Sequence, residues 1–211
     1  MEEVIGSLVK DNRYREWLRS DKRHIFAYCL SFLFRDKEWL RLGKKEEEHS
    51  NPVSYVDIRT DGSGLRIHRP YELSDSKQDP AKYQELIKKT GMESPQKLIE
   101  SSKRVYKKLK AGNYEDYDRI VEIVGVPAAA ALIAGGGLME YFAFNPLPLS
   151  TLSAIGGGLG IAYGSLALRK FMKHIKSFNK EEVKKILKEE GIPCKRILRY
   201  DSELDELEIE I

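Results

Sequence analysis

Residues 123–168 read IVGVPAAAALIAGGGLMEYFAFNPLPLSTLSAIGGGLGIAYGSLAL, and the single charged side chain in these forty-six positions is Glu140. Elsewhere the chain carries charge at about two positions in five. A helix needs roughly 17–25 apolar residues to cross about 30 Å of hydrocarbon, so this stretch is long enough to cross twice. It divides at Asn145-Pro146-Leu147-Pro148, where two prolines remove backbone donors and favour a turn. The halves, 121–144 and 149–168, would reach about 36 and 30 Å at 1.5 Å per residue. The stretch predicts a two-helix transmembrane hairpin.

The competing reading is a buried core hairpin in a water-soluble protein. With 211 residues and a mean hydropathy of −0.47, the chain is large and polar enough for that. The second half is also diluted by Gly156, Gly157, Gly158, Gly160, Gly164, Ser150, Ser153, Ser165, Thr151 and Tyr163. Flanking charge separates the two readings. Lys103, Arg104, Lys107, Lys108, Lys110 and Arg119 precede the stretch; Arg169, Lys170, Lys173 and Lys176 follow it, with Lys180 and Lys184 close behind. The connecting turn has no Lys or Arg. Basic flanks around an uncharged loop are what the positive-inside rule expects of a hairpin with both termini cytoplasmic. The expected location is the cell membrane, with two spans.

The first residues, Met1-Glu2-Glu3-Val4, lack the basic and apolar regions of a secretory signal, so insertion is expected to be directed by the hairpin itself. Cys29 and Cys194 form neither a CxxC motif nor a disulfide framework, which fits a reducing compartment. Val4, Ile5, Leu8 and Val9 read as the opening of a helical stripe, interrupted at Asp11-Asn12. Tyr14, Trp17 and Leu18, then Ile25, Tyr28, Cys29, Phe32 and Leu33 recur at helical spacing, with Trp39 and Leu40 continuing that face and 44–48 ending it as a solvated run. Residues 55–59 and 65–69 alternate around Asp61-Gly62-Ser63-Gly64 and read as a β-hairpin.

Three further helices carry start and stop signals: Asp79-Pro80 to Gly91, Ser94-Pro95 to Gly112, and Asn179 with Glu182 to Gly191 and Pro193. The last residues form a second hairpin, 195–200 and 206–211. Lys195, Arg196 and Arg199 on one strand oppose Glu206, Glu208 and Glu210 on the other, a register device contributing a few tenths to about 1 kcal/mol per pair. A lone two-stranded hairpin is marginal in water, so the two hairpins are expected to share one sheet. The expected fold is therefore an α+β membrane protein: a two-helix transmembrane hairpin (119–170) inserted in a small cytoplasmic helix-plus-antiparallel-sheet domain built from 1–118 and 171–211.

Signals for chemistry are thin. Asp57, Asp61 and His68 match no zinc or calcium spacing and read as exposed polar positions on a hairpin. No catalytic, cofactor-binding or metal residue is assigned, and no cofactor is expected. Gly156, Gly160 and Gly164 fall four apart, and Gly125 with Ala129 and Ala131 with Gly135 offer matching small residues on the first span. Such spacing lets helix backbones approach closely in lipid. It would either close the hairpin on itself or join copies into a homo-oligomer. Glu140 falls about one helical turn from Asn145, at interface depth, where a carboxylate stays solvated. The net charge of +3 is spread through mixed-sign sequence, giving nucleic-acid binding no support. The basic clusters at 103–110 and 169–176 read as attraction to anionic lipid heads. The expected partners are the lipid bilayer and an unknown cytoplasmic protein. Two function classes follow, a membrane-anchored interaction or scaffold protein and a small oligomeric channel or transport-associated protein. A membrane-bound enzyme ranks third.

Overall fold

The computed structural model describes residues 4–11, 37–47, 49, 51–73, 80–119, 121–144 and 150–211. The chain divides into two compact units, Met1–Tyr114 with Asn179–Ile211, and Glu115–Phe178. Strands β1 (Val4–Asp11), β2 (Lys37–Lys44), β3 (Val53–Arg59) and β4 (Gly64–Glu72) come first, followed by helices α1 (Pro80–Lys89) and α2 (Pro95–Gly112). The second unit holds α3 (Val126–Phe144), entered through a π-helical turn at Val121–Gly125, and α4 (Ser150–Ser177). The chain returns to the first unit with α5 (Lys180–Glu189), β5 (Arg196–Asp201) and β6 (Glu206–Glu210).

The first unit combines helices with an antiparallel sheet whose strands run β1-β2-β3-β4-β6-β5. The late strand β6 lies beside β4, so residues far apart in the chain complete one sheet. Its register builds two apolar rows across four strands: Leu40–Ile58–Leu65–Ile209 and Leu42–Val56–Ile67–Leu207. All eight side chains are at most 2% exposed. Strand side chains alternate between faces, so both rows lie on one side, where α2 packs with Leu98, Ile99, Val105 and Leu109 buried.

Two segments differ from their sequence reading. Residues 4–11, expected to open a helix, form β1, and Trp39 and Leu40, expected on one helical face, lie in β2 on opposite faces of the sheet. Short apolar runs satisfy helix and strand patterns alike, and pairing with neighbours decides between them. Here β1 pairs with β2 along all eight residues. Lys44 accordingly closes a strand. The stripe from Tyr14 to Leu33, including Cys29, lies outside the described residues.

The helix ends follow local chemistry. Ser94 caps α2 by accepting from Lys97 N at 3.2 Å with Pro95 next, and Asn179 caps α5 by accepting from Glu182 N at 3.2 Å. Past the ends of α1 and α5, Gly91 and Gly191 take φ of 74° and 72°, a region that favours glycine.

In the second unit, Glu122–Tyr141 is, among the described residues, the one helical segment long and apolar enough to cross a membrane, with 17% of its window buried. The same measure does not select a second span. The glycines and serines that open α4 lower its apolarity, and its last turns carry Arg169, Lys170, Lys173 and Lys176. The Asn145–Pro148 turn lies outside the described residues.

Candidate functional site

The residues singled out for helix packing meet in part. A Cβ placed on Gly160 would sit 3.4 Å from Gly136 Cα and from Leu132 O, and one on Gly164 would lie 2.9 Å from Ala129 O. Both glycines are therefore in backbone contact with α3, and Ala129 is fully buried. Gly125 faces the ring of Phe171, which a Cβ placed there would meet at 3.1 Å. Ala129, Ala167 and Phe171 form a small buried cluster, with Val126 and Leu168 against it.

Gly156, Ala131 and Gly135 lie off this seam. A Cβ on Gly156 meets only Met139 Sδ at 3.9 Å, one on Gly135 meets nothing within 4 Å, and Ala131 is exposed. The seam uses Gly157 and Gly136 instead, where an added Cβ would come within 2.7 and 2.6 Å of the opposing carbonyl oxygen. The reason is helical arithmetic. Eight residues overshoot two turns by about 80°, whereas seven return to within about 20° of the same face. Gly157–Gly164 and Ala129–Gly136 are the seven-residue pairs, and that spacing was the signal available in the sequence. Glu140 lies along the same seam, partly buried, with its side chain over Gly157 and Gly158.

At the foot of the hairpin, Tyr117 stacks on Phe178 at 4.9 Å and donates its hydroxyl to Glu122 Oε2 at 2.7 Å. Burial and the neighbouring carboxylate push the phenol above its ordinary value. The outer surface of the unit is apolar. Of the large apolar side chains exposed among the described residues, all but Leu8 fall between Ile123 and Met172.

The first unit holds a site that the sequence reading missed. On the sheet face opposite the apolar rows, the register aligns Arg41, Asp57, Arg66, Glu208 and Arg199 across five strands, alternating in charge at every step. Asp57 is fully buried at its centre. Arg41 grips it with two parallel bonds, Nε to Oδ1 at 2.8 Å and Nη2 to Oδ2 at 3.0 Å. Arg66 Nη1 stands 3.7 Å from Oδ2, and its guanidinium lies 4.2 Å from the Trp39 ring centre. Glu208 is also paired with Lys37, and Arg199 with Asp201.

His68, fully buried, adds a further contact. Its Nε2 lies 3.1 Å from Asp57 Oδ1 and its Nδ1 lies 2.7 Å from the carbonyl of Arg69. Burial by itself would raise the Asp57 carboxyl, but His68 and Arg41 outweigh it and hold it well below the usual carboxylate range.

The expectation of exposed polar positions at Asp57 and His68 is thus corrected: both side chains are buried and bonded to each other. These residues do not make a ligand set with Asp61, whose Oδ1 instead accepts from Ser63 N at 2.9 Å in the turn. Among the described residues, no group of three or more His, Cys, Asp or Glu is placed to hold a metal ion. The ladder's chemical capacity is to fix strand register.

The basic residues of α2 also have protein partners. Lys103 bonds Glu46 at 2.7 Å, Arg104 bonds Glu190, and Lys108 reaches Glu189 at 3.2 Å and Glu190 at 2.8 Å. Arg104 and Lys108 thereby tie α2 to the end of α5. Comparison with protein-family models, with curated proteins and with solved structures finds no significant match.

Proposed function

We propose that the chain is a membrane-anchored interaction or scaffold protein, held by α3 and α4 as a two-span hairpin, with both arms on the cytoplasmic side. The observation that carries this reading is the apolar outer surface of the hairpin. Leu166 is 70% exposed, Leu159 66% and Tyr141 65%. In water each would forgo about 1–2 kcal/mol of the transfer energy that burial supplies. A soluble protein rarely leaves so large a continuous apolar surface uncovered. The core helix of a soluble fold would be mostly buried. Lys and Arg on both flanks, with none in the connecting turn, support the orientation.

The scaffold role is supported by the first unit, whose central carboxylate is sealed within a structural network. Cysteine labelling of an Asn145→Cys variant in intact cells tests the topology. Labelling from the non-cytoplasmic side alone is expected. Labelling only after permeabilisation, or release of the native protein by carbonate washing, would overturn it. A second reading, the oligomeric channel, draws on the small residues Ala131 and Gly135, which face away from the seam. Its test is the mass of the detergent-solubilised protein, and a monomer would end it.

A further inference from the structure

The sheet of the first unit ends differently on its two sides. Strand β5, last in the order, breaks register with β6 between Ile197 and Arg199 and carries Arg196 and Arg199. A bulge and cations are devices that keep a sheet edge from pairing with another chain. Strand β1, at the other end, has neither a bulge nor a proline. It pairs with β2 without a break over eight residues, and its one lysine is Lys10, next to its last residue. Among the described residues no strand lies beyond it. An edge strand turns backbone N–H and C=O groups outward, a template for a further strand.

Leu8 marks the same edge. It pairs with Leu40 and so carries the buried row Leu40–Ile58–Leu65–Ile209 one strand further, yet it is 55% exposed. Among the described residues of this unit it is the one large apolar side chain left exposed. We propose that β1 pairs antiparallel with β1 of a second copy of this chain, about a two-fold axis that sets Leu8 against Leu8. Paired residues point to the same face, so a two-fold ribbon opposes even positions to even ones. Centred on Leu8 it opposes Ser7 to Val9 and Gly6 to Lys10. The two Lys10 positions stay about 14 Å apart, beyond the roughly 10 Å over which salt leaves exposed charges in contact. A two-fold contact closes as a dimer, whereas β1 against the irregular β5 edge of another copy would run on as an open chain. Seven paired residues make a face of about 24 Å by 10 Å, so the dimer buries about 500 Å², well below the roughly 1,200–2,000 Å² of a stable interface. Such a contact is weak in dilute solution and forms where copies are crowded. The inference deepens the scaffold reading and rests on it, since a shared membrane supplies the crowding.

The test reconstitutes the full chain carrying L8C in phosphatidylcholine vesicles over a range of protein-to-lipid ratios, oxidises it with copper phenanthroline, and identifies linked peptides by mass spectrometry. Directly opposed residues have Cα atoms about 4.5–5.5 Å apart, within a disulfide's reach, whereas position 10 lies too far from its own copy. A disulfide joining position 8 of two copies is expected, at a yield several-fold above that of K10C at position 10. No linkage at position 8 at any ratio, or equal linkage in K10C, would overturn the proposal. Linkage of position 8 to Cys194, which precedes β5 in the chain, would assign β1 to the other sheet edge of a second copy and also overturn it. Should L8C fail to fold, energy transfer between donor- and acceptor-labelled wild-type copies decides. It is expected to fall when L8K sets like charges face to face, and an unchanged signal refutes the two-fold pairing. Failure of the membrane reading is distinguishable, because carbonate would then strip the protein from the vesicles, whereas failure of the pairing leaves it embedded and unlinked.

Discussion

Replacing Asp57 with Asn removes the central negative charge of the ladder and changes almost nothing in volume. Asp57 receives three close bonds from cationic or ring donors, two from Arg41 and one from His68. Bonds to charged groups contribute about 1.5–3 kcal/mol each, a gross loss of roughly 5–9 kcal/mol. The Asn oxygen retains part of this, while relaxation and water entry recover more. Breaking a buried ion pair by removing one partner typically costs about 3–5 kcal/mol. The expected destabilisation is therefore about 3–5 kcal/mol, a large share of the roughly 5–15 kcal/mol that holds a domain together. Urea denaturation of the full chain in mild detergent, followed by circular dichroism, measures it. Glu93→Gln serves as the internal reference. Its pair with Lys97 is solvent-exposed at i,i+4 spacing, and its loss should leave the urea midpoint essentially unchanged. The pH dependence has a definite sign. A carboxyl held lower in the folded chain than its unfolded value of about 3.9 contributes stability that is complete above that pH and lost as pH falls below it. Asp57→Asn should flatten that acid limb. A loss below about 1 kcal/mol, with the acid limb unchanged, would refute the ladder as a structural element.

Ser102→Ala should stabilise the protein by roughly 1 kcal/mol in the same assay, because the Ser102 hydroxyl is buried with no hydrogen-bond partner among the described residues. Gly157→Leu should lower the thermal midpoint of the hairpin, since an added Cβ already meets the Gly136 carbonyl at 2.7 Å and overpacking typically costs about 1–3 kcal/mol. Gly135→Ala, with open space around it, should be within about 0.5 kcal/mol of neutral. Truncation after Gly191 removes β5 and β6 and uncovers the outer edge of β4. Limited proteolysis should then cleave within the first 114 residues, and unchanged resistance would show that the late strands are dispensable.

Legibility in the sequence followed how local each decision is. Helix caps at Ser94 and Asn179 rest on neighbours three residues away, and the letters carry them. The alternation of Val56, Ile58, Leu65 and Ile67 around a glycine turn is equally local. Residues 4–11 and 37–44 are ambiguous by themselves because their apolar spacing fits two periods, and their pairing partners lie elsewhere in the chain. Charge was the less legible half of the sheet. Asp57, Arg66, His68 and Glu208 look like a solvated strand face. Their burial follows from register across five strands, which no single segment contains. Gly160 and Gly164 lie in the seam, while Gly157 and Gly136, at a spacing of seven from Gly164 and Ala129, take the places that a spacing of four gives to Gly156 and Gly135.

The position of β6 also governs the order of events during synthesis. Its place beside β4 stays vacant while more than 130 further residues, between Glu72 and Glu206, are made. At about 5–20 residues per second that interval lasts roughly 7–27 s. Throughout it Leu65 and Ile67 have no outer neighbour, and Arg66 waits for Glu208. Helices α3 and α4 are both made within this interval, before the sheet can close. Closure then joins strands made before residues 115–178 to strands made after them.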